Sequence, residues 1–224
     1  MFYDINFEGT KKVCAALEKV GTPKSFIFIS TVAVYGCDCG EMITEEHSLD
    51  GQTPYAKSKI MAEQFLIEWC KKNNVTLTIL RPSLLAGKNA PGNLGAMVKG
   101  IKTGRYFSIA GGKTRKSVLM VDDIANLTPL VAEKGGVYNV CDNTQPTFRE
   151  LETIISRQLG KKTPISIPMW IAKSMALFGN FLGSKAPINS LKLKKITESL
   201  TFSNEKAKKE LGWIPSDVIK NYKI

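Results

Sequence analysis

Apolar positions along this chain change rhythm several times, and each change marks an element. From Asp4 to Val20 the residues Val13, Leu17 and Val20 recur at helical spacing, and Gly21-Thr22-Pro23 stops the run. Ser25–Ser30 reads SFIFIS, a short apolar run of the kind found in parallel strands covered on both faces. Gly36–Pro54 is polar and turn-rich and reads as a loop. Tyr55–Asn73 carries Ile60, Phe65, Leu66 and Trp69 as a helical stripe, and Asn73-Asn74 ends it. Val75–Leu80, VTLTIL, reads as a second strand. Strand, long loop, helix and strand is the grammar of a doubly wound α/β sheet.

Beyond Arg81-Pro82 the pattern loosens. Gly- and Asn-rich turns surround a helix near Leu94–Ile101, Asp122–Ala132 reads as a helix with acidic residues at its start, and Val137–Val140 as a third strand. Thr147–Leu159 begins with a capping-box pair, Thr147 and Glu150. Ile167–Leu182 is the most apolar stretch. It is too short and interrupted to span a bilayer, and reads as a buried or cap helix. Pro187 to the end reads as basic and loosely structured. Three strands alone would leave edges unpaired, which predicts further strands upstream.

Composition narrows the function classes. The 224 residues carry 31 Lys and Arg against 20 Asp and Glu, a formal net charge of +11. Such an excess suits a polyanionic partner or a solvated lysine surface. Five of the basic residues are Arg, and they are scattered, so nucleic-acid binding is disfavoured. Five cysteines suggest no disulfide framework and no completed zinc site, and the default is a reduced cytoplasmic protein without bound metal. The N-terminus has no signal-peptide pattern. His47 lies in an acidic loop and reads as structural, and Cys37 as filler without an activating base.

Tyr55 and Lys59 stand one helical turn apart, on one face of the strongest helix. A lysine ammonium beside a phenol favours the phenolate, which suits proton transfer at a hydroxyl or ketone. With 26 lysines in the chain such a spacing arises readily by chance, so context decides. Ser30-Thr31 ends the first strand, where α/β sheets place their sites, and a Thr31 hydroxyl could orient the reacting oxygen.

The ordered strings ISTVAVYG (29–36), TPYAKSKIMAE (53–63) and LRPSLLAG (80–87) resemble the extended short-chain dehydrogenase/reductases, the sugar-nucleotide epimerase/dehydratase group. NFEGT (6–10), SVLMVDDIA (117–125), YNV (138–140) and LGWIP (211–215) agree with the same group in the same order. The resemblance implies a partial Rossmann-like parallel sheet, lacking its N-terminal strands, with a small helical substrate-binding cap. It divides the chain into a core at 1–85, to which 117–142 returns, and a cap at 86–116 and 143–224. It implies Thr31, Tyr55 and Lys59 as the catalytic trio, with Lys59 also on the nicotinamide ribose. Pro82 and Ser83 would line the nicotinamide of NAD or NADP. Asn93, Arg105, Arg115 and Lys116 would meet the diphosphate of a nucleotide sugar. A homodimer through the helices at 4–20 and 55–73 is implied as well.

The sequence departs from the group in three ways. No Gly-x-x-Gly-x-x-Gly turn is present, which predicts weak NAD(P) binding and little turnover by this chain alone. Val32 and Ala33 follow Thr31 where dehydratases carry Asp-Glu, which argues against dehydration. A 4-epimerase and a 4-keto reductase need only the trio, so both stay open; Leu84, where hexose 4-epimerases often have Asn, argues against simple UDP-galactose epimerisation and favours a reductase or an amino-sugar substrate. Two other readings compete: a steroid- or flavonoid-type reductase, disfavoured by LGWIP and by Gly92–Leu94, and a non-enzymatic binding protein for RNA or protein, disfavoured by the intact trio.

Overall fold

The computed structural model describes residues 1–90, 92–181 and 188–224. A π-helical stretch, Tyr3–Glu8, runs without a break into α1 (Gly9–Val20). Then follow β1 (Ser25–Ile29), a 3-10 turn (Val32–Tyr35), β2 (Gly40–Ile43), α2 (Pro54–Asn73), β3 (Thr76–Pro82) and β4 (Leu84–Ala86). The middle of the chain forms α3 (Gly92–Lys102), β5 (Ser108–Ile109), β6 (Val118–Met120), α4 (Val121–Val131) and β7 (Gly136–Val140). The remainder forms α5 (Phe148–Gln158), β8 (Ser166–Ile167), α6 (Met169–Phe181), α7 (Ser190–Thr197), β9 (Leu200–Phe202), α8 (Glu205–Leu211) and α9 (Val218–Asn221).

The main sheet is parallel, in the order β1-β3-β7, with Ile29 opposite Leu80 and Pro82 opposite Val140. Its two faces are covered differently because successive side chains alternate. Ile79 packs with Phe28, Leu66 and Trp69 under α1 and α2. Leu80 packs with Leu127, Tyr138 and Trp213 under α4 and α8. This is the doubly wound arrangement that the apolar runs imply. A third cluster, with Leu94, Met97, Leu151 and Tyr222, joins α3, α5 and α9.

Three sequence expectations change. The 36–54 loop holds β2, which pairs with β9, so this segment is anchored to the C-terminal part. Residues 188–224 are ordered as α7, β9, α8 and α9; residues 182–187, including the start of the basic tail, lie outside the described residues. Trp213 and a buried Asp123 explain the order. Trp213 fills the core, and Asp123 accepts from the Ser216 amide and hydroxyl at 2.9 and 2.7 Å. Leu66 and Trp69, expected to contribute to a dimer face, are buried in the chain's own core, because α1 and the first strand cover them.

Candidate active site

Two of the expected residues, Thr31 and Lys59, meet the C-terminal end of β1, and Tyr55 stands one helical turn before Lys59. β1 ends with the Ser30 amide donating to the Leu80 carbonyl at 2.7 Å. Thr31 is extended and caps the 3-10 turn, its hydroxyl accepting from the Ala33 amide at 3.2 Å. Gly36 then turns the chain with φ +73°; a Cβ there would lie 2.3 Å from the Asp50 carbonyl oxygen. No other residue fits that turn without moving the loop.

On the other side, Thr53 caps α2 through the Ala56 amide, and Pro54 occupies its first turn. This fixes the start of the helix, and with it Tyr55 and Lys59. Asn6 of the NFEGT string donates to the Ser58 hydroxyl at 3.0 Å, and Ser58 donates to the Tyr55 carbonyl at 2.7 Å. The first helix therefore braces α2 between Tyr55 and Lys59. The Tyr55 ring meets Phe2 edge-on, with centroids 5.5 Å apart.

Lys59 reaches back to the strand tip. Its Nζ donates to the Ile29 carbonyl at 2.8 Å and lies 4.7 Å over the Phe28 ring. Burial lowers its pKa, an effect that the nearby Glu63 opposes. The ammonium is thus held two residues before Thr31 and one turn from Tyr55. Among the described residues the Tyr55 hydroxyl has no hydrogen-bond partner, so the direct phenol–ammonium contact suggested by the spacing is not made here.

Beneath the trio lies a buried polar network that the sequence reading did not assign. Arg81 at the end of β3 binds Glu63 of α2 through two bonds, 2.6 and 3.2 Å. Its Nη1 donates to the Tyr35 hydroxyl at 3.0 Å, which in turn donates to Asn139 at 2.7 Å. Asn139 donates onward to the Ile43 carbonyl. One network therefore ties α2, β3, β7, β2 and the turn after Thr31. The signal was present in the quoted strings, as Tyr35-Gly36, Glu63 and Arg81-Pro82, but nothing in them says which letters pair.

The other expected residues divide. Pro82 and Ser83 lie at the β3 tip, with the Ser83 amide held by the Val140 carbonyl at 3.0 Å. The Ser83 and Ser30 hydroxyls are buried and have no hydrogen-bond partner. Two such orphans at neighbouring strand tips offer hydrogen bonds to an incoming amide, which fits a nicotinamide. Lys116 pairs as a bridge with Leu200, donates from Nζ to the Glu198 carbonyl at 2.9 Å, and has its pKa lowered by burial. Arg115 beside it holds the Gln145 carbonyl at 2.8 Å. Asn93 starts α3 and Arg105 follows its end; both are exposed, and no polar contact among the described residues joins either to Lys116. Cys37 does have a base nearby, His47 Nε2 at 3.7 Å, contrary to the sequence reading. Burial raises the thiol pKa, which works against activation by that base. No cluster among the described residues could hold a metal ion.

Comparison with known proteins decides the family. Residues 1–141 match the model of the NAD dependent epimerase/dehydratase family. The chain belongs to that family. A family relative, the N-acetyl-alpha-D-glucosaminyl-diphospho-ditrans,octacis-undecaprenol 4-epimerase of Escherichia coli O157:H7, is 31% identical over 92% of this chain and 65% of its own length. UDP-glucose 4-epimerase of Bacillus subtilis is 26% identical over 95% of the chain and 64% of its own. The fold matches RMD of Pseudomonas aeruginosa complexed with NADPH, with TM-score 0.71 at 22% identity, covering 98% of this chain and 70% of that one. The chain thus spans just under two thirds of the length of these two curated relatives.

Proposed function

We propose that this chain carries the proton-transfer machinery and nicotinamide-side surface of an NAD(P)-dependent 4-epimerase or 4-keto reductase acting on a diphosphate-linked sugar. One observation carries the reading: Lys59, one helical turn from Tyr55, binds the carbonyl that immediately precedes Ser30-Thr31, which ties the start of α2 to the tip of β1. Tyr55 is the proton shuttle at the sugar O4. Thr31 donates to that oxygen and orients it. Lys59 holds the ribose and places a positive charge beside the phenol, stabilising the phenolate that receives the proton. Ser30 and Ser83 receive the carboxamide at the strand tips, beside Pro82. Bound NAD(P) would supply the acceptor and donor of the hydride at C4. Lys116, with Arg115 next to it, meets the diphosphate, and Asn93 and Arg105 are further candidates along the same substrate.

The carrier beyond the diphosphate is a polyprenol in the relative at 31% identity and a nucleoside in the one at 26%. The chemistry at the sugar is the same for both. The sequence has no Gly-rich turn for the pyrophosphate, so the chain alone binds the dinucleotide weakly and turns over slowly. A homodimer through the outer faces of α1 and α2, with Val13 and Ile67 exposed, completes the proposal.

The test is C4 epimer formation from UDP-N-acetylglucosamine and from its polyprenyl-diphosphate counterpart, with excess NAD. Single-turnover product should appear with one substrate at least, and Tyr55→Phe should reduce it about 10²- to 10⁴-fold. Product formation undiminished in Tyr55→Phe, or neither epimer from these substrates nor NAD(P)H-dependent reduction of their 4-keto forms, would sink the reading.

A further inference from the structure

α6 is built inside out for a helix facing water. Its small residues Ala172, Ala176 and Gly179 are buried, and Ala172 and Ala176 pack with Leu193 of α7. Its bulky ones point outward: Trp170 is 71% exposed, Phe178 74% and Phe181 87%, with Leu177 and Met175 also exposed. Of the two readings of this stretch, a buried or a cap helix, the exposed bulky residues overturn the first in the part that lies within the described residues. The one charged residue of α6 is Lys173.

Charge tells what such a face suits. From Lys161 to Thr197 the sequence has seven lysines and no carboxylate. The lysine excess of this stretch accounts for most of the net charge of +11. Exposed aromatic and aliphatic side chains on a helix whose one charge is a lysine, in a lysine-rich stretch with its first carboxylate at Glu198, match helices that lie in the plane of an anionic bilayer surface. Five large apolar side chains exposed on one helix mark an interaction surface rather than a scatter of single exposed residues.

We propose that α6 docks this protein on an anionic phospholipid surface, with Trp170, Leu177, Phe178 and Phe181 entering the headgroup region and Lys173 among the lipid phosphates. Among the described residues no helix is long and apolar enough to cross a membrane, and surface docking needs none. A groove of about 720 Å³ between α6 and α7, lined by Lys173, Leu177, Leu193, Lys194 and Glu198, leads from this face. The carbonyl of Glu198 at its end is the one held by Lys116. One residue, Glu198, thus borders the groove and touches the expected diphosphate contact. This deepens the proposed function toward a lipid-carried sugar diphosphate; the docking itself rests on α6 alone.

The test is flotation of the full chain with vesicles of phosphatidylcholine alone or mixed with phosphatidylglycerol. Trp69 and Trp213 are buried, so fluorescence changes at the surface report Trp170. The expected result is flotation with the anionic vesicles, a blue-shifted emission, and loss of both in Leu177→Ser/Phe178→Ser with an unchanged melting curve. If that variant fails to fold, protection of wild-type Trp170 from acrylamide by the anionic vesicles decides in its place. No flotation, flotation indifferent to the folded double variant, Trp170 left open to acrylamide, or Trp170 masked by self-association without vesicles would each overturn the proposal. Because the readout involves no turnover, a catalytically inactive chain still answers it.

Discussion

Lys59 gives up part of its hydration to reach the Ile29 carbonyl, and burial lowers its pKa below the ordinary 10.5. The folded protein therefore holds this proton less tightly than the unfolded chain does. Where the unfolded state binds more protons, stability rises with pH. Wild type should gain stability relative to Lys59→Met as pH climbs from the lowered folded value toward 10.5, and the gap should be flat below that window. Urea midpoints for both proteins at neutral and alkaline pH measure it; a gap moving the other way would mean that Lys59 is not desolvated. The cysteines give a second residue-scale prediction. Burial pushes Cys14 and Cys70 up to about 11 and Cys141 to about 12, whereas Cys39 is exposed. Iodoacetamide at neutral pH should modify Cys39 first and leave Cys14, Cys70 and Cys141 intact until the chain unfolds, as peptide mass mapping would show.

The Arg81–Glu63 pair is where α2 and β3 are locked together under the site, with both side chains almost fully buried. Removing one partner strands a charge, so Arg81→Met should cost about 3–5 kcal/mol. Glu63→Leu/Arg81→Met should cost less than either single change, since no charge is left unpaired. Chemical denaturation of the three variants gives the comparison, and a double variant weaker than both singles would mean that the pair itself is strongly stabilising. Elements of this kind were only partly legible in the sequence. The three-stranded sheet was readable because SFIFIS, VTLTIL and GVYNV are apolar runs with turn residues on either side, and α2 because its stripe from Ile60 to Trp69 lies in a run bounded by Thr53-Pro54 and Asn73-Asn74. β4, β5, β6 and β8 have two or three residues each, too few for any periodicity, and their partners come from distant parts of the chain. The trio could be named from its strings, while the network beneath it could not, because Tyr35, Glu63, Arg81 and Asn139 become neighbours only once four elements are packed. α6 misled because apolar content normally signals burial, and its burial was carried by Ala and Gly instead.

At the scale of the whole molecule, β1 is an edge strand of the main sheet, and the order β1-β3-β7 leaves its outer side without a partner strand among the described residues. The backbone phase can be read from two bonds. The Ser30 amide points inward to Leu80, whereas the Ile29 carbonyl points outward to Lys59. Successive residues of a strand present their amides to opposite sides, so Phe26 and Phe28 face β3 and Ile27 and Ile29 face the open edge. Such an edge invites pairing by a further strand or a second copy, and a basic molecule with like charges on every copy resists the second. Hydrogen exchange followed by NMR should therefore split β1 in two: slow amides at Phe26, Phe28 and Ser30, fast ones at Ile27 and Ile29. Uniform protection along the strand would mean that the edge is covered in solution. Protection that grows with protein concentration would identify the cover as another copy of this chain, and protection independent of concentration would place it within the same molecule.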